Sequence, residues 1–290
     1  MQIDAFINRA SALLVDSESA RLDAELLLAF VLDKPRSFFY AHPEAVIDTD
    51  KLSALWALVE RRAEGIPLAY LTNTREFWSH TLLVNEHVLI PRPETEDMVE
   101  AVLQLPLPPN ANVVDAGTGS GAIALALASE HTDWFVLAIE YCRDAAHVAW
   151  KNFNAANGAA TEKNSNTPAL ICASWLSACA QSCLDLIVAN PPYIASDDPH
   201  LQMGDVRFEP RSALVSNNGG YDDIRCIVKQ ACICLKPGGY LAIEHGYLQG
   251  KQVVDIFSQY GFTDVLNHND LAGQSRFVIG RNAQAKFLNQ

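Results

Sequence analysis

The stretch VVDAGTGSGAIALALA, Val113 to Ala128, limits what this chain can fold into more than any other part of it. A short β-branched apolar run, a glycine-rich turn and an apolar helical run follow one another with no spacer. Gly117, Gly119 and Gly121 permit torsions and close ligand approach that a Cβ forbids, with Thr118 and Ser120 between them. The helix that starts after Gly121 offers unpaired N–H groups toward the same point. The spacing G-x-G-x-G is one residue shorter than the dinucleotide fingerprint G-x-G-x-x-G. Around this turn, from about residue 110 onward, strand-like and helix-like runs alternate. NVVDAG, WFVLAIE, ALICAS, LDLIVAN, GYLAIEHG and RFVIGR read as strands, and GAIALALASE, RDAAHVAWKNFNAAN and DDIRCIVKQACICL as helices. That order predicts an α/β domain: a mainly parallel sheet with helices on both faces, which binds ligands beyond the carboxyl ends of its strands.

Two further strand ends carry chemistry. Glu140 closes the second strand, 23 positions after Gly117, where a carboxylate can accept hydrogen bonds from both hydroxyls of a ribose. DLIVANPPYIAS ends another. Leu186, Ile187 and Val188 read as a buried strand, and Pro191 and Pro192 then forbid continued pairing. The result is a fixed turn carrying the Asn190 amide, backbone carbonyls without sheet partners and the Tyr193 ring, a small polar socket on the same edge of the sheet as the glycine turn. Trp175 follows ALICAS, at a third strand end, where its face can pack on a purine.

The N-terminal part differs in character. DAELLLAFVL carries a broad apolar face, and DTDKLSALWALVERRAEG sets Leu52, Leu55, Trp56 and Val59 at helical spacing. Asp48 or Thr49 caps that second helix, Arg61 and Arg62 suit its negative end, and Gly65 stops it. REFWSHTLLV and EHVLIP read as two strands about a polar turn at Asn85, and PRPETEDMVEAVLQL opens a helix with Pro93 near its first position. Arg92, Glu94 and Glu96 lie at that helix start, where acidic groups complement the dipole. The expected division is a helical bundle over 1–72, a β-hairpin linker over 73–92 and the α/β domain over 93–290. GAATEKNSNTP reads as a surface loop.

Composition narrows the function. The 290 residues are 49% hydrophobic and 19% charged, with a formal net charge of −13, which repels nucleic-acid backbones in the absence of a basic groove. The densest basic spot is Arg61 and Arg62. The start MQIDAFINRASALL lacks the basic n-region of a signal peptide, and no apolar run approaches membrane-spanning length, so the expected location is the cytoplasm. Seven cysteines without a C-x-x-C pair predict buried, reduced thiols rather than disulfides or zinc. The histidines, His245 in IEHG included, have no metal-ligand spacing and read as structural.

The glycine turn, the acidic strand end and NPPY together resemble a class I S-adenosylmethionine methyltransferase acting on a planar nitrogen. NPPY is shared with adenine N6 methyltransferases. With REFW, LIPRPETE and DPHLQMGDVRFEPRSALV the chain resembles, along nearly its whole length, the release-factor glutamine methyltransferases (the HemK family). The resemblance implies a Rossmann-like, seven-stranded class I domain, S-adenosyl-L-methionine as methyl donor and S-adenosyl-L-homocysteine as product. It also implies class 1 peptide-chain release factors as protein substrates of a monomeric enzyme. The backbone from Gly117 to Gly121 would then approach the methionine part, Glu140 the ribose and Trp175 the adenine, with Asn190 also in contact with the donor, while Asn190, Pro191, Pro192 and Tyr193 hold the substrate amide, and PRPETE borders the substrate cleft. Two positions depart from the family pattern: Ser174 stands where an acidic residue is common, and Asn73 where glycine is usual, although asparagine tolerates left-handed torsions. Three competing readings are an adenine N6 methyltransferase on DNA or RNA, a nicotinamide dehydrogenase and a non-catalytic adaptor. The net charge opposes the first, the glycine spacing the second, and the intact Asn190 and glycine turn the third.

Overall fold

In a computed structural model that describes residues 1–159 and 166–283, the chain forms two units. One comprises Met1–Thr74 with His200–Phe208, the other Arg75–Pro199 with Glu209–Gln290.

The first unit is helical: α1 (Ile3–Leu13), α2 (Ala20–Leu32), α3 (Arg36–Ala41), α4 (Thr49–Ala63) and α5 (Leu68–Thr72). Its core joins Phe6, Ile7 and Ala10 of α1, Leu27 and Leu28 of α2, and Leu55 and Val59 of α4. Full burial of each large side chain is worth about 1.5–3 kcal/mol. Asp48 is the N-cap of α4, but its side chain makes no capping bond, so that expectation fails. The other end behaves as expected: Gly65 takes φ +95°, and Arg62 donates to the carbonyls of Gly65 and Ile66. Arg62 also pairs with the buried Asp23 at 2.7 Å and with Asp205 at 2.9 Å, which fastens the 200–208 segment to this unit. Asn73 ends α5 at φ 55°, the left-handed conformation that a glycine would otherwise supply.

The second unit opens with a hairpin, β1 (Thr74–Phe77) and β2 (His80–Leu83), then α6 (Pro93–Leu103). Both strands lie inside TREFWSHTLL, and the turn is made by Trp78 at φ 56°, not at Asn85. EHVLIP forms no strand. Asn152 takes up both the N–H and the C=O of Leu83, which closes the hairpin, and Asn85 instead makes a local turn onto the His87 N–H. The remaining elements are β3 (Asn112–Ala116), α7 (Ala122–Glu130), β4 (Phe135–Glu140), α8 (Arg143–Ala159), β5 (Ala169–Cys172), β6 (Leu184–Ala189), α9 (Arg211–Leu214), the kinked turn α10 (Asn217–Gly220), α11 (Asp222–Cys234), β7 (Leu235–Glu244), α12 (Gly250–Gln259), β8 (Phe262–Asn269) and β9 (Ser275–Asn282). The loop expected over GAATEKNSNTP lies mostly outside the described residues. Helix α12 and strand β8 were not anticipated from the sequence.

The seven strands form one sheet in the order β5-β4-β3-β6-β7-β9-β8, with β9 antiparallel to its neighbours and the other pairings from β5 to β7 parallel. This is the class I methyltransferase fold. Successive residues of each strand face opposite layers. Val113, Leu186 and Val188 pack with α6, α7 and α8, while Val114, Ile187 and Ala189 pack with α11 and α12. Every residue of β6 is buried, as its continuous apolar run requires. Its one acid, Asp185, is met by Lys236 Nζ at 2.7 Å. At the far edge, β8 slips register between Thr263 and Leu266, where Asp264 takes φ 52°. The seven cysteines are free, but only Cys232 and Cys234 are buried; Cys172, at the end of the edge strand β5, is exposed. Among the described residues no helix is long and apolar enough to cross a membrane.

Candidate active site

The order of strands reverses between β3 and β6, the place where an open α/β sheet leaves a crevice. A cavity of about 340 Å³ opens there, large enough for a small-molecule ligand. Gly117, Thr118, Gly119, Ser120, Glu140, Trp175, Asn190 and Pro192 all line it. Gly121, Pro191 and Tyr193 do not.

The glycine turn is held from several sides. Gly117 and Thr118 donate their N–H groups to the Ile139 carbonyl, which locks the turn onto β4. Gly119 N–H donates to Glu140 Oε2, and Cys142 N–H to Glu140 Oε1, both at 2.9 Å. Each oxygen of Glu140 keeps a further lone pair for a ligand hydroxyl. Gly117 stands at φ +81° under the Trp175 ring, and a Cβ there would come within 2.7 Å of it. The absence of a side chain is therefore what lets the ring lie over the turn. Gly121, the N-cap of α7 at φ +87°, faces Phe153 rather than the cavity. Ser174 is exposed and borders the cavity next to Trp175.

Behind the turn lies Asp115, fully buried. Its Oδ2 accepts from the Thr118 hydroxyl and, at 3.1 Å, from the Ala124 N–H, while Oδ1 has no partner among the described residues. Burial, with Glu140 nearby, pushes this carboxyl up to about 7.

Asn190 ends β6 on the opposite wall. Its Nδ2 lies 3.3 Å from Thr95 Oγ1, and Thr95 Oγ1 lies 2.6 Å from Oε2 of Glu244, at the end of the neighbouring strand β7. The Tyr193 hydroxyl donates to Glu244 Oε1 at 3.3 Å, so this ring is turned to the carboxylate and forms no part of the cavity wall. Burial raises both groups, the Glu244 carboxyl to about 7. Thr95, Glu244 and Asp115 escaped the sequence reading. A carboxylate that closes the apolar run YLAI is the local signal for Glu244. His245 itself is buried between the Gly246 carbonyl and Asn267 and does not line the cavity.

The segment PRPETE reaches the site through Pro91, Arg92 and Thr95. Arg92 pairs with the buried Glu209, which comes from GDVRFEP. Two stretches that carried the family resemblance, far apart in sequence, are thus joined by one ion pair.

Residues 5–72 match the PrmC N-terminal domain and residues 97–221 the methyltransferase small domain. A release factor glutamine methyltransferase of Shewanella oneidensis is 41% identical over 93% of this chain and 92% of its own length. Those of Escherichia coli (42%; 97% and 99%) and Pseudomonas aeruginosa (44%; 92% and 95%) are equally similar. A methyltransferase from Pyrococcus furiosus, only 12% identical, shares the fold with a TM-score of 0.52 over 81% of this chain and 99% of that one. Similarity of this order along nearly the whole length places the chain in the family of release factor glutamine methyltransferases.

Proposed function

We propose that this chain transfers a methyl group from S-adenosyl-L-methionine to the side-chain amide nitrogen of the glutamine in the Gly-Gly-Gln loop of class 1 peptide-chain release factors. It acts in the cytoplasm, as a monomer, and modulates translation termination. The observation that supports this best is the meeting of the glycine turn and Asn190 across one cavity at the switch point of the sheet, in a member of this family.

The cavity suits the donor. The turn leaves room where a Cβ at Gly117 would strike Trp175, Gly119 has open space above it, and Glu140 offers two acceptors in the same cavity that the Trp175 ring lines. The backbone from Gly117 to Gly121 would hold the methionine part, Glu140 the ribose and Trp175 the adenine. The bound donor supplies an electrophilic sulfonium methyl group.

The chain supplies orientation. A carboxamide nitrogen is a weak nucleophile because its lone pair is delocalised into the carbonyl. Asn190 Oδ1 accepts one amide hydrogen in the cavity, and the carbonyl of Pro191, which itself stands off the wall between the lining residues Asn190 and Pro192, would have to reach the other; together they draw the lone pair out of conjugation and aim it. Pro191 and Pro192 keep the two acceptors rigid. No general base is needed, since the proton becomes acidic only once the nitrogen is methylated. Alignment of this kind contributes up to roughly 7–11 kcal/mol in favourable systems. Residues 1–72 would serve as the substrate-recognition bundle and 73–92 as its linker to the catalytic domain.

The test is mass spectrometry of a release factor incubated with the protein and S-adenosylmethionine, with any added methyl group mapped to a residue. Modification of the Gly-Gly-Gln glutamine is the expected result. An unmodified factor, with methylated adenine in a parallel oligonucleotide reaction, overturns the proposal. Asn190→Ala is expected to lower kcat by about 100-fold or more while donor Kd changes little, and equal losses in both would remove its assigned role.

A further inference from the structure

The Asn190 side chain can point either its oxygen or its nitrogen into the cavity, and only the oxygen can accept a hydrogen from a substrate amide. Something must choose between the two. The choice is made in a short chain of groups behind Asn190, whose first member, Thr95, borders the cavity and whose second, Glu244, lies outside it. Thr95, in the first turn of α6, is 3% exposed, and Glu244, at the end of β7, is 1% exposed.

The hydrogen-bond order follows from the proton inventory. An ionised carboxylate has no hydrogen to give, so the 2.6 Å contact between Thr95 Oγ1 and Glu244 Oε2 uses the hydroxyl hydrogen of Thr95. That hydroxyl has no second hydrogen. Its 3.3 Å contact with Asn190 must therefore receive an N–H, which assigns Nδ2 to the Thr95 side and leaves Oδ1 for the substrate. Tyr193 donates to the other carboxylate oxygen and holds Glu244 in this orientation. Glu94 from α6 and Arg276 from β9 also act on Glu244, with opposite signs. A protonated Glu244 would donate to Thr95 and reverse the whole series, so the order described is that of the ionised form.

We propose that Thr95 and Glu244 are positioning residues that fix the polarity of the Asn190 amide, so that its oxygen and not its nitrogen meets the reacting glutamine. This rests on the reading of Asn190 as the acceptor for that amide. The device is directional: a relay of the same length that ended in a hydrogen donor would present the wrong end of Asn190 and oppose two N–H groups to each other.

The test uses the full chain at about pH 8.5, where Glu244 is ionised. Thr95→Val keeps the side-chain shape and removes the hydroxyl, whereas Thr95→Ser keeps the hydroxyl. Loss of one anchoring bond is expected to lower kcat about tenfold in Thr95→Val, with donor Kd within about twofold of wild type and kcat restored in Thr95→Ser. Independently of turnover, hydrogen exchange at the Asn190 side-chain amide, followed by 15N NMR, is expected to be slowed in wild type and in Thr95→Ser and fast in Thr95→Val. A Thr95→Val enzyme with wild-type kcat, or one whose Asn190 amide stays protected, overturns the proposal, as does a Thr95→Ser enzyme as impaired as Thr95→Val. The exchange experiment needs no substrate, so it separates failure of this relay from failure of the assigned reaction: protection that depends on Thr95 in a protein that leaves glutamine unmodified would refute the reaction and keep the relay.

Discussion

Replacing Asp115 with asparagine is expected to remove a large part of the pH dependence of stability. The carboxyl is wholly buried behind the glycine turn, and one of its oxygens lacks a partner among the described residues. Its pKa rises from 3.8 to about 7 on folding because burial disfavours the charged form. The native state therefore binds a proton that the unfolded chain has already released, and stability falls as pH rises. The contribution is fully present below about pH 3.8 and gone once pH exceeds about 7. A rise of about 3 in pKa, at about 1.4 kcal/mol each, corresponds to about 4 kcal/mol in all. Roughly 2.5 kcal/mol of it is lost between about pH 5 and about pH 8. Asparagine carries no charge at either pH and fits the same space, with its oxygen where Thr118 and Ala124 donate. Urea unfolding of both proteins at the two pH values measures the effect. Glu244, which has the same kind of shift, titrates in both proteins and cancels in the difference. Asp115→Asn should gain on wild type by about 2–3 kcal/mol from the lower pH to the higher one. A stability difference that is the same at both would refute the argument that this group folds in protonated form.

Other substitutions probe other parts of the structure. Asn152→Ala removes the side chain that binds Leu83 N–H, Leu83 C=O and the Ser120 carbonyl, and should cost about 1–3 kcal/mol in urea titrations while weakening donor binding by calorimetry. Gly121→Ala puts a Cβ 2.4 Å from the Phe153 ring at a φ of +87°, with an expected loss of about 1–3 kcal/mol in thermal unfolding. Arg62→Ala leaves the buried Asp23 without its cation, and should destabilise the helical unit by about 3–5 kcal/mol, read as a lower urea midpoint. A near-neutral result there would show that Ser17 and Ser19, which also donate to Asp23, suffice.

What the sequence made legible was whatever is local. The glycine turn, the strand LDLIVA and the break at Pro191 are each coded within about a dozen residues, so the sheet and one wall of the cavity were readable. The Thr95–Glu244 contact joins residues 149 apart, and no short window contains it. It exists because β7 pairs with β6 and brings its last residue beside Asn190. The hairpin was misplaced for a related reason: Asn152, from α8, decides where β2 ends. Strand β8 escaped because FTDVLNHN is polar and its alternation is broken by a register slip. Helix α12, by contrast, is coded locally, since Val253, Ile256 and Phe257 have the spacing of an amphipathic face.

The two edges of the seven-stranded sheet set the terms on which another chain can approach it. At one side β5 offers only four residues, and at the other β8 is bulged, polar and bent through the left-handed Asp264. Short and twisted edges are poor templates for an added strand. A loop of a partner protein therefore has little chance of being captured by backbone pairing, in the manner of domains that zip an extended peptide onto their sheet. Its recognition has to come from side chains and turns at the strand ends, where the chain has already left the ladder and offers groups one at a time.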